Sequence, residues 1–421
     1  MSADRAARVI GIGCITAFGM GVPAFAAGLR NGSSGIARVR GQVVEMGGFL
    51  VDFDFNAHLK ILDLPAELRA NAAKIGRRAP RSVQCSLLVC LEAWIGAGLT
   101  ERSSIDPERV SVVVAGQNIS QAYQFGMHEK FTASPEYLPP SYGLHFLDTD
   151  HVGAVSELLQ VRGEGVTMGG ASASGNVAIL HGLRLIRQGL ADICVIVGAL
   201  ADLSPLECQA FQQLGAMGGR NPEISPDQAC RPFDAGRDGF IYGQGASCLI
   251  LERQSGITNR TAANWGLLRG GATCLDANSS SDLNATGVAR AMRQALEDAG
   301  ASLADLQYIN AHATSSVQGD QQEIQAIKQF LGSSSANVWI NATKELTGHC
   351  LWSAGVVEAL AVLIQMREGF LHSNPNLVNP IDGECQFVGR SARAINCRTA
   401  LSNSFGFGGI NTSILFQGAG D

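Results

Sequence analysis

The chain has few charged residues: Asp, Glu, Lys and Arg together make up only 16% of its 421 residues. Acidic residues outnumber basic ones, and the formal net charge is −6 at pH 7. Nucleic acids and anionic membranes are themselves negative, so this balance gives the chain no general attraction for either. We therefore expect no nucleic-acid partner and no membrane partner.

Signals for export, membrane insertion and disulfide pairing are also missing. No signal peptide precedes the first strand-like run at residues 7–12, and no apolar run approaches the length of a membrane span. The eleven cysteines are odd in number, scattered, and without CxxC spacing. We expect a cytoplasmic protein whose cysteines are reduced and mostly buried. We expect no metal site and no intrinsic cofactor, because no metal, nucleotide or flavin motif stands out.

What the chain does contain is apolar residues, at 46%, and 50 glycines. This composition is typical of a compact α/β enzyme with long buried strands and tight glycine turns. The length allows two ordinary domains or one large compound domain.

Two stretches of the chain repeat one pattern. A helix-like segment at 83–97 ends at a glycine and leads into a strand at 110–116, and a segment at 287–299 does the same before a strand at 306–312. Both predict a helix, a glycine stop, a short linker and a buried strand. The alternative is a chance similarity between two βα units.

A second repeat concerns the apolar helices predicted at 174–189 and 352–369. Alternating helices and continuous apolar strands predict parallel sheets covered on both faces. The duplication predicts two such layers around a pseudo-twofold axis, joined near residues 253–265. We accordingly divide the chain into an N-terminal half, 1–255, and a C-terminal half, 256–421.

Ser172 lies where an extended stretch turns into the first of these helices, in the small-residue run GGASASGN at 169–176. The free N–H groups at the start of a helix create a partly positive field at such a turn. That field favours a thiol, whose pKa falls there, but an alcohol stays protonated unless a base removes its proton. The serine is therefore either a differently activated nucleophile or one that has lost its reactivity.

Further polar elements follow other predicted strands. They are NAHATSS at 310–316, TKELTGH at 343–349 and the glycine-rich turn NSFGFGGIN at 403–411. Because open α/β sheets build their sites at strand-to-helix turns, we expect these segments to meet Ser172.

Taken together, these motifs resemble the β-ketoacyl synthases of the thiolase-fold superfamily. The resemblance runs almost end to end and includes GIGCIT at 11–16 and CRPFDAGRDGF at 230–240. It implies a thiolase-like α/β fold in which two duplicated βαβαβαββ halves form a five-layer αβαβα sandwich. It also implies a homodimer joined through a sheet edge beside the nucleophile helix.

The resemblance assigns roles by position. It places the nucleophile, cysteine in that family, at Ser172, the catalytic histidines at His312 and His349, the lysine and its acidic partner at Lys344 and Glu358, a gate whose N–H completes an oxyanion hole with that of Ser172 at Phe407, and hydroxyls for the phosphopantetheine arm at Thr314 and Ser316. The chain departs from the family at Trp352, where synthases usually have glycine.

Each of these assignments has a structural alternative. Either histidine could be a hydrogen-bonded core residue, and Phe407 could simply pack. Lys344 would in any case pair with Glu358 and orient the site. The indole of Trp352 either closes part of the acyl cavity or packs in the core.

The serine changes the expected reaction. Two neutral imidazoles can donate to a thioester oxygen, and one such donor is worth about 10²–10³ in rate. Acyl transfer needs a nucleophile, and Ser172 lacks an adjacent base in the usual triad arrangement, because both histidines serve the oxyanion. The chain therefore retains what decarboxylation needs and loses what condensation needs.

This combination is similar to the Cys-to-Ser ketosynthase-like decarboxylases of polyketide β-branching. The resemblance implies conversion of malonyl-acyl carrier protein to acetyl-acyl carrier protein. The substrate would ride on the 4′-phosphopantetheine arm of the carrier protein, and the product would pass to an HMG-synthase-like enzyme.

Two other functions remain open at this stage. One is a serine-nucleophile acyltransferase or ketosynthase that works through an oxygen ester. The other is a non-catalytic partner subunit of the chain-length-factor type. Retention of His312, Lys344 and His349 argues against a purely structural partner.

Overall fold

The computed structural model describes residues 5–101, 105–254, 263–332 and 337–419. Its strands are β1 Ala7–Thr16, β2 Gly19–Met20, β3 Ala37–Arg38, β4 Met46–Gly47, β5 Val110–Ala115, β6 Gly165–Met168, β7 Ile193–Gly198, β8 Ala246–Arg253, β9 Gly266–Leu275, β10 Tyr308–Asn310, β11 Trp339–Asn341, β12 Phe370–Leu371, β13 Gln386–Phe387, β14 Arg393–Ala394, β15 Thr399–Gly406 and β16 Ile410–Gln417.

Helices separate these strands and include the predicted apolar ones. They are α1 Val22–Asn31, α2 Phe55–Ile61, α3 Ala66–Gly76, α4 Arg81–Gly96, α5 Gln121–Ala133, α6 Tyr142–His145, α7 Thr149–Leu159, α8 Ser174–Arg187, α9 Pro205–Gln213, α10 Ala285–Ala299, α11 Val317–Leu331, α12 Lys344–Thr347 and α13 Ala354–Glu368.

The sheet shows the predicted duplication directly. Its first half has the strand order β6-β5-β7-β8-β1, and its second half has the order β11-β10-β15-β16-β9, with β13 added beyond β11. The order and the relative strand directions match position by position between the halves. The halves join where β1 pairs with β9 over three residue pairs. The thiolase-like fold implied by the resemblance is therefore confirmed.

Two details differ from the sequence prediction. The sheets are mixed, because β8 and β1 run antiparallel in one half and β16 and β9 do so in the other. Strand β16 returns directly after β15 through a tight turn, which is possible only for antiparallel neighbours. Strand β10 is also shorter than the predicted 306–312, because the chain leaves the sheet after Asn310.

Strands β8 and β9 flank the predicted join between the halves. Strand β8 ends at Arg253 and β9 begins at Gly266, and each strand belongs to a different half of the sheet. The predicted division between residues 255 and 256 itself falls outside the described residues.

Five layers follow from the packing. Helices α4 and α7 cover one outer face, α10 and α11 cover the other, and α8 and α13 lie together between the two halves of the sheet. The two central helices approach closely near their N-termini, where a Cβ on Gly175 would lie 2.6 Å from the backbone nitrogen of Val356. Glycine at this crossing brings the starts of both helices together, which places Ser172 beside the segment that precedes α13.

The cysteines are free, and all except the partly buried Cys274 are buried, as predicted. Within the described ranges, no helix has both the length and the apolarity needed to cross a membrane.

Candidate active site

Ser172 lies on a strained turn between β6 and α8. A single 3₁₀ turn, Ala171–Ala173, joins the strand to the helix, and Ala171 has a φ of +49°, in the left-handed region. Such a conformation in a non-glycine residue persists only where its surroundings fix it. Here the Ser174 hydroxyl donates to the carbonyl oxygen of Ala171 at 2.7 Å, and the Ser404 hydroxyl donates to that of Ser172 at 3.0 Å.

A cavity of about 660 Å³ opens beside this turn. The predicted residues that line it are Ser172, His312, Thr314, Ser316, His349 and Phe407. Lys344 and Glu358 lie behind this surface, almost fully buried. The structure therefore brings together all the residues that the resemblance selected, from the four motif segments and from helix α13.

His349 is the imidazole nearest the serine. Its Nε2 lies 2.8 Å from the Ser172 Oγ, and its Nδ1 accepts a hydrogen bond from the backbone N–H of Leu351 at 3.2 Å. A neutral imidazole carries one proton, and Nδ1 is an acceptor here, so the proton is on Nε2. His349 therefore donates to the serine oxygen.

His312 contacts a buried ion pair between Lys344 and Glu358. The Lys344 ammonium contacts the carboxylate of Glu358 and lies 3.2 Å from the His312 Nδ1. An ammonium can only donate, so Nδ1 of His312 accepts and its proton is also on Nε2. The two imidazoles lie edge to face with ring centroids 5.7 Å apart, and both rings carry their proton on the same nitrogen.

Both imidazoles are neutral at physiological pH. Burial holds the pKa of His312 and of His349 well below the usual value, and the charge of Lys344 lowers both further. Burial raises the pKa of Glu358 to about 7, while the Lys344 ammonium opposes that rise. The site thus contains two neutral N–H donors beside a buried cation.

The sequence predicts that Ser172 lacks an adjacent base in the usual triad arrangement. An imidazole is adjacent, but it is not arranged as in a catalytic triad. A triad histidine accepts the serine proton at one nitrogen while a carboxylate receives the N–H of the other. In His349 that second nitrogen faces a backbone N–H donor, which favours the opposite tautomer.

The remaining predicted residues lie toward the open side of the cavity. Ser316 caps α11 by accepting from the N–H of Gly319 at 3.1 Å, and Thr314 precedes it on the same turn. Phe407 is 42% exposed, with its ring 6.5 Å from that of Phe211. It lies on the turn between β15 and β16, which reaches the elbow from the C-terminal half.

Some residues of the site escaped the sequence prediction. Glu323 accepts from the backbone N–H groups of His312 and Ala313 at 2.9 and 2.7 Å, so it fixes that turn. Phe240 and Phe405 place their rings against His349 and His312, respectively. The two phenylalanines lie within motifs that the sequence already marked, whereas Glu323, in the second turn of an ordinary-looking helix, gave no signal.

Comparison with known proteins matches most of the chain to one family. A family model described as "Beta-ketoacyl synthase, N-terminal domain" matches residues 5–257, and one described as "Beta-ketoacyl synthase, C-terminal domain" matches residues 266–378.

Curated relatives cover nearly the whole chain. The chain is 36% identical to "Polyketide biosynthesis malonyl-ACP decarboxylase PksF" of Bacillus subtilis (strain 168), over 97% of this chain and 95% of that protein. It is 30% identical to the chloroplastic 3-oxoacyl-[acyl-carrier-protein] synthase I of Arabidopsis thaliana, over 98% and 87% of the two chains.

Solved structures give the same result. A β-ketoacyl synthase from Burkholderia phymatum STM815 superposes with a TM-score of 0.86 at 26% identity, over 99% of this chain and 100% of that one. A type II polyketide ketosynthase bound to a hexaketide, in complex with its acyl carrier protein, superposes with a TM-score of 0.84 at 27% identity, with the same coverage. Matching family models, relatives and fold together show that the chain belongs to the β-ketoacyl synthase family.

Proposed function

We propose that this protein is a malonyl-acyl carrier protein decarboxylase that forms acetyl-acyl carrier protein for polyketide β-branching. The observation that carries the proposal is the pair of neutral imidazoles, His312 and His349, each protonated on Nε2 and both lining one cavity. The 36% identity to a malonyl-ACP decarboxylase along nearly the full chain supports the same reaction.

The chemistry begins with the malonyl thioester in the cavity. The bond between the carboxylate carbon and the adjacent methylene breaks, carbon dioxide leaves, and the bonding electrons form an enolate of the thioester. Negative charge develops on the thioester oxygen, where preorganised N–H donors have their greatest effect. The enolate carbon then takes a proton from water, which completes an acetyl thioester on the carrier.

The present position of Ser172 indicates where that oxygen binds. Its Oγ is an oxygen atom 2.8 Å from the His349 Nε2, the distance at which a donor would hold an enolate oxygen. Substrate binding would replace this contact with one to the thioester. In this mechanism the serine oxygen only accepts the His349 hydrogen bond in the free enzyme and forms no covalent bond with the substrate.

Loss of condensation follows from the same hydrogen bonds. A serine becomes a nucleophile when a base removes its proton as it attacks. The nitrogen of His349 that faces Ser172 already carries a proton, and burial together with Lys344 resists addition of a second one. Ser172 therefore receives no activation, and the enolate has no acyl group to attack.

The expected partners are compatible with the shape of the molecule. Thr314 and Ser316 lie on the open side of the cavity, where they would hold the phosphopantetheine arm, and Phe407 would contribute its N–H to the oxyanion hole. Strand β6 is at the end of the strand order and is partly exposed, so a second copy could pair there to form a homodimer. The product would then be passed to an HMG-synthase-like enzyme.

A direct assay tests the function. Purified protein is incubated with malonyl-carrier protein alone, and the carrier is followed by intact mass. We expect the carrier to lose the mass of carbon dioxide and become acetyl-carrier protein, with no other protein present. Persistence of malonyl-carrier protein at stoichiometric enzyme would contradict the proposal.

The same experiment separates the alternatives. A serine-nucleophile acyltransferase or ketosynthase would leave a stable acyl adduct on Ser172, visible in the mass of the enzyme and located by peptide mapping. A non-catalytic partner subunit would change neither protein. We expect an unmodified enzyme and a converted carrier.

A further inference from the structure

The cavity has an exposed end and a buried end. Leu214 and Val317 on its rim are 57% and 59% exposed. Leu351 and Trp352, which line the same cavity, are only 3% and 6% exposed and belong to the core cluster of the N-terminal sheet. His312 and His349 line the same cavity and are 9% and 3% exposed, so Trp352 and the imidazoles share its buried part.

Trp352 is held rigidly at the buried end. Its 3₁₀ turn, Leu351–Ser353, packs directly on the turn that carries Ser172. The Ser353 hydroxyl donates to the carbonyl oxygen of Gly198 at 3.1 Å and lies 2.9 Å from the hydroxyl of Ser247. The backbone of Gly116 also lies beside this turn, since a Cβ built on Gly116 would be 3.6 Å from the Trp352 Cβ.

We propose that the indole of Trp352 is the end wall of the acyl-binding cavity and restricts the protein to very short acyl units. This inference rests on the proposed function, since it names the part of the site that selects a malonyl or acetyl unit. An indole is among the largest side chains, and close-packed cores do not yield easily to extra methylenes. An acyl chain longer than the malonyl unit would meet this wall.

Packing holds the Trp352 ring in place, without a side-chain hydrogen bond to any described residue. Its Nε1 is buried and has no hydrogen-bond partner within the described part of the chain. Truncation of the ring therefore leaves no polar group elsewhere without its partner. Smaller residues at position 352 should enlarge the cavity while the imidazoles keep their hydrogen bonds.

Direct binding tests this assignment without relying on any reaction. The probes are acetyl-, butyryl- and octanoyl-pantetheine, titrated calorimetrically into the full-length protein and its Trp352→Gly and Trp352→Leu variants. We expect the wild-type protein to bind octanoyl-pantetheine at least about tenfold more weakly than acetyl-pantetheine. Buried methylenes favour binding once space exists. In Trp352→Gly the ratio of the two affinities should therefore change by at least about tenfold, to equal binding or to tighter binding of the octanoyl probe. The ratio for Trp352→Leu should lie between those of the wild-type protein and Trp352→Gly.

A matched substitution controls for the general loss of a tryptophan. Trp265 lies outside the cavity, under the guanidinium of Arg367 at 4.2 Å, so Trp265→Leu should keep the wild-type ratio. Thermal melting of every variant shows that it is folded. The inference is overturned if wild-type protein binds the octanoyl and acetyl probes equally, or if both folded Trp352 variants keep its ratio. A changed ratio together with an inactive enzyme toward malonyl-carrier protein would refute the proposed function alone.

Discussion

The turn before α8 and the turn before α13 occupy equivalent places in the duplicated fold. Each is a 3₁₀ turn of three residues that opens with a residue at φ +49°, Ala171 in one and Leu351 in the other. The central residue is Ser172 in the first turn and Trp352 in the second. The same backbone conformation thus carries a small hydroxyl in one turn and a large indole in the other, and both line the cavity.

The segments that lead into these turns differ even more. Before α8 there are only small residues, and the Ser172 hydroxyl bonds to His349. Before α13 the chain supplies Lys344 and His349, together with the N–H of Leu351 that fixes the histidine tautomer. A strained turn is therefore not enough to make a nucleophile, because activation of the hydroxyl depends on which nitrogen of the neighbouring imidazole carries the proton.

The largest effect is expected on stability, from the buried ion pair between Lys344 and Glu358. Lys344→Met leaves the carboxyl of Glu358 buried without its cation, which should lower the free energy of unfolding by about 3–5 kcal/mol. Denaturant unfolding measures the loss. Addition of Glu358→Leu should recover part of it, because the unpaired carboxyl is then gone. A loss below about 1 kcal/mol would show that the pair is unimportant for stability.

The next largest effect is expected on catalysis, from loss of either active-site imidazole. His312→Ala or His349→Ala removes one donor from the developing oxyanion, so kcat for malonyl-carrier protein should fall by about 10²–10³. The matched control is His128→Ala, an exposed histidine on α5, which should retain full turnover. Full activity in either site variant would show that the donors are assigned wrongly.

A smaller effect is expected on the pH dependence of stability, from buried histidines that lie outside the candidate active site. Burial lowers the pKa of His151 to about 3 and that of His372 to about 4. Below the unfolded value of about 6.5, the unfolded chain takes up protons that the folded chain refuses, so stability falls as the pH falls. Each such imidazole should contribute about 1.4 kcal/mol per pH unit.

Unfolding of His151→Gln between pH 6 and 4.5 measures this contribution. We expect a shallower decline in unfolding free energy than in the wild-type protein, by about the value for one imidazole. The exposed His128→Gln should keep the wild-type slope. Identical slopes in all three proteins would mean that His151 is not kept neutral by the fold.

The smallest effect is expected on the α8 side. Ser172→Ala removes a hydroxyl that only occupies the His349 donor in the free enzyme, so turnover should change by no more than about tenfold, the worth of one neutral hydrogen bond. Steady-state kinetics on malonyl-carrier protein gives the value. A thousandfold loss would instead identify Ser172 as a nucleophile, and the turn before α8 would then carry the main catalytic group.

Much of this architecture was predictable from local sequence signals. Glycine stops follow α4 and α10, α8 and α13 are apolar helices, and β5 and β7 are continuous apolar runs, so local signals predicted all of them. The mixed direction of the sheets was not predictable, because the apolar composition of a buried strand is the same in either direction. The role of Glu323 also escaped, since its carboxylate acts on backbone groups ten and eleven residues earlier.

The sequence by itself determined the elements, their duplication and the identity of the polar residues at the strand ends, because periodicity, glycine placement and side-chain chemistry are local properties. Only the tertiary structure decided which nitrogen of each imidazole holds its proton. That choice depends on the Leu351 N–H, which meets His349 through the turn that precedes α13, and on the Lys344 ammonium, which reaches His312 across 32 residues of chain. It also decided that Ser172 and Trp352 line one cavity, because the two turns that carry them are far apart in the chain and pack together only in the fold.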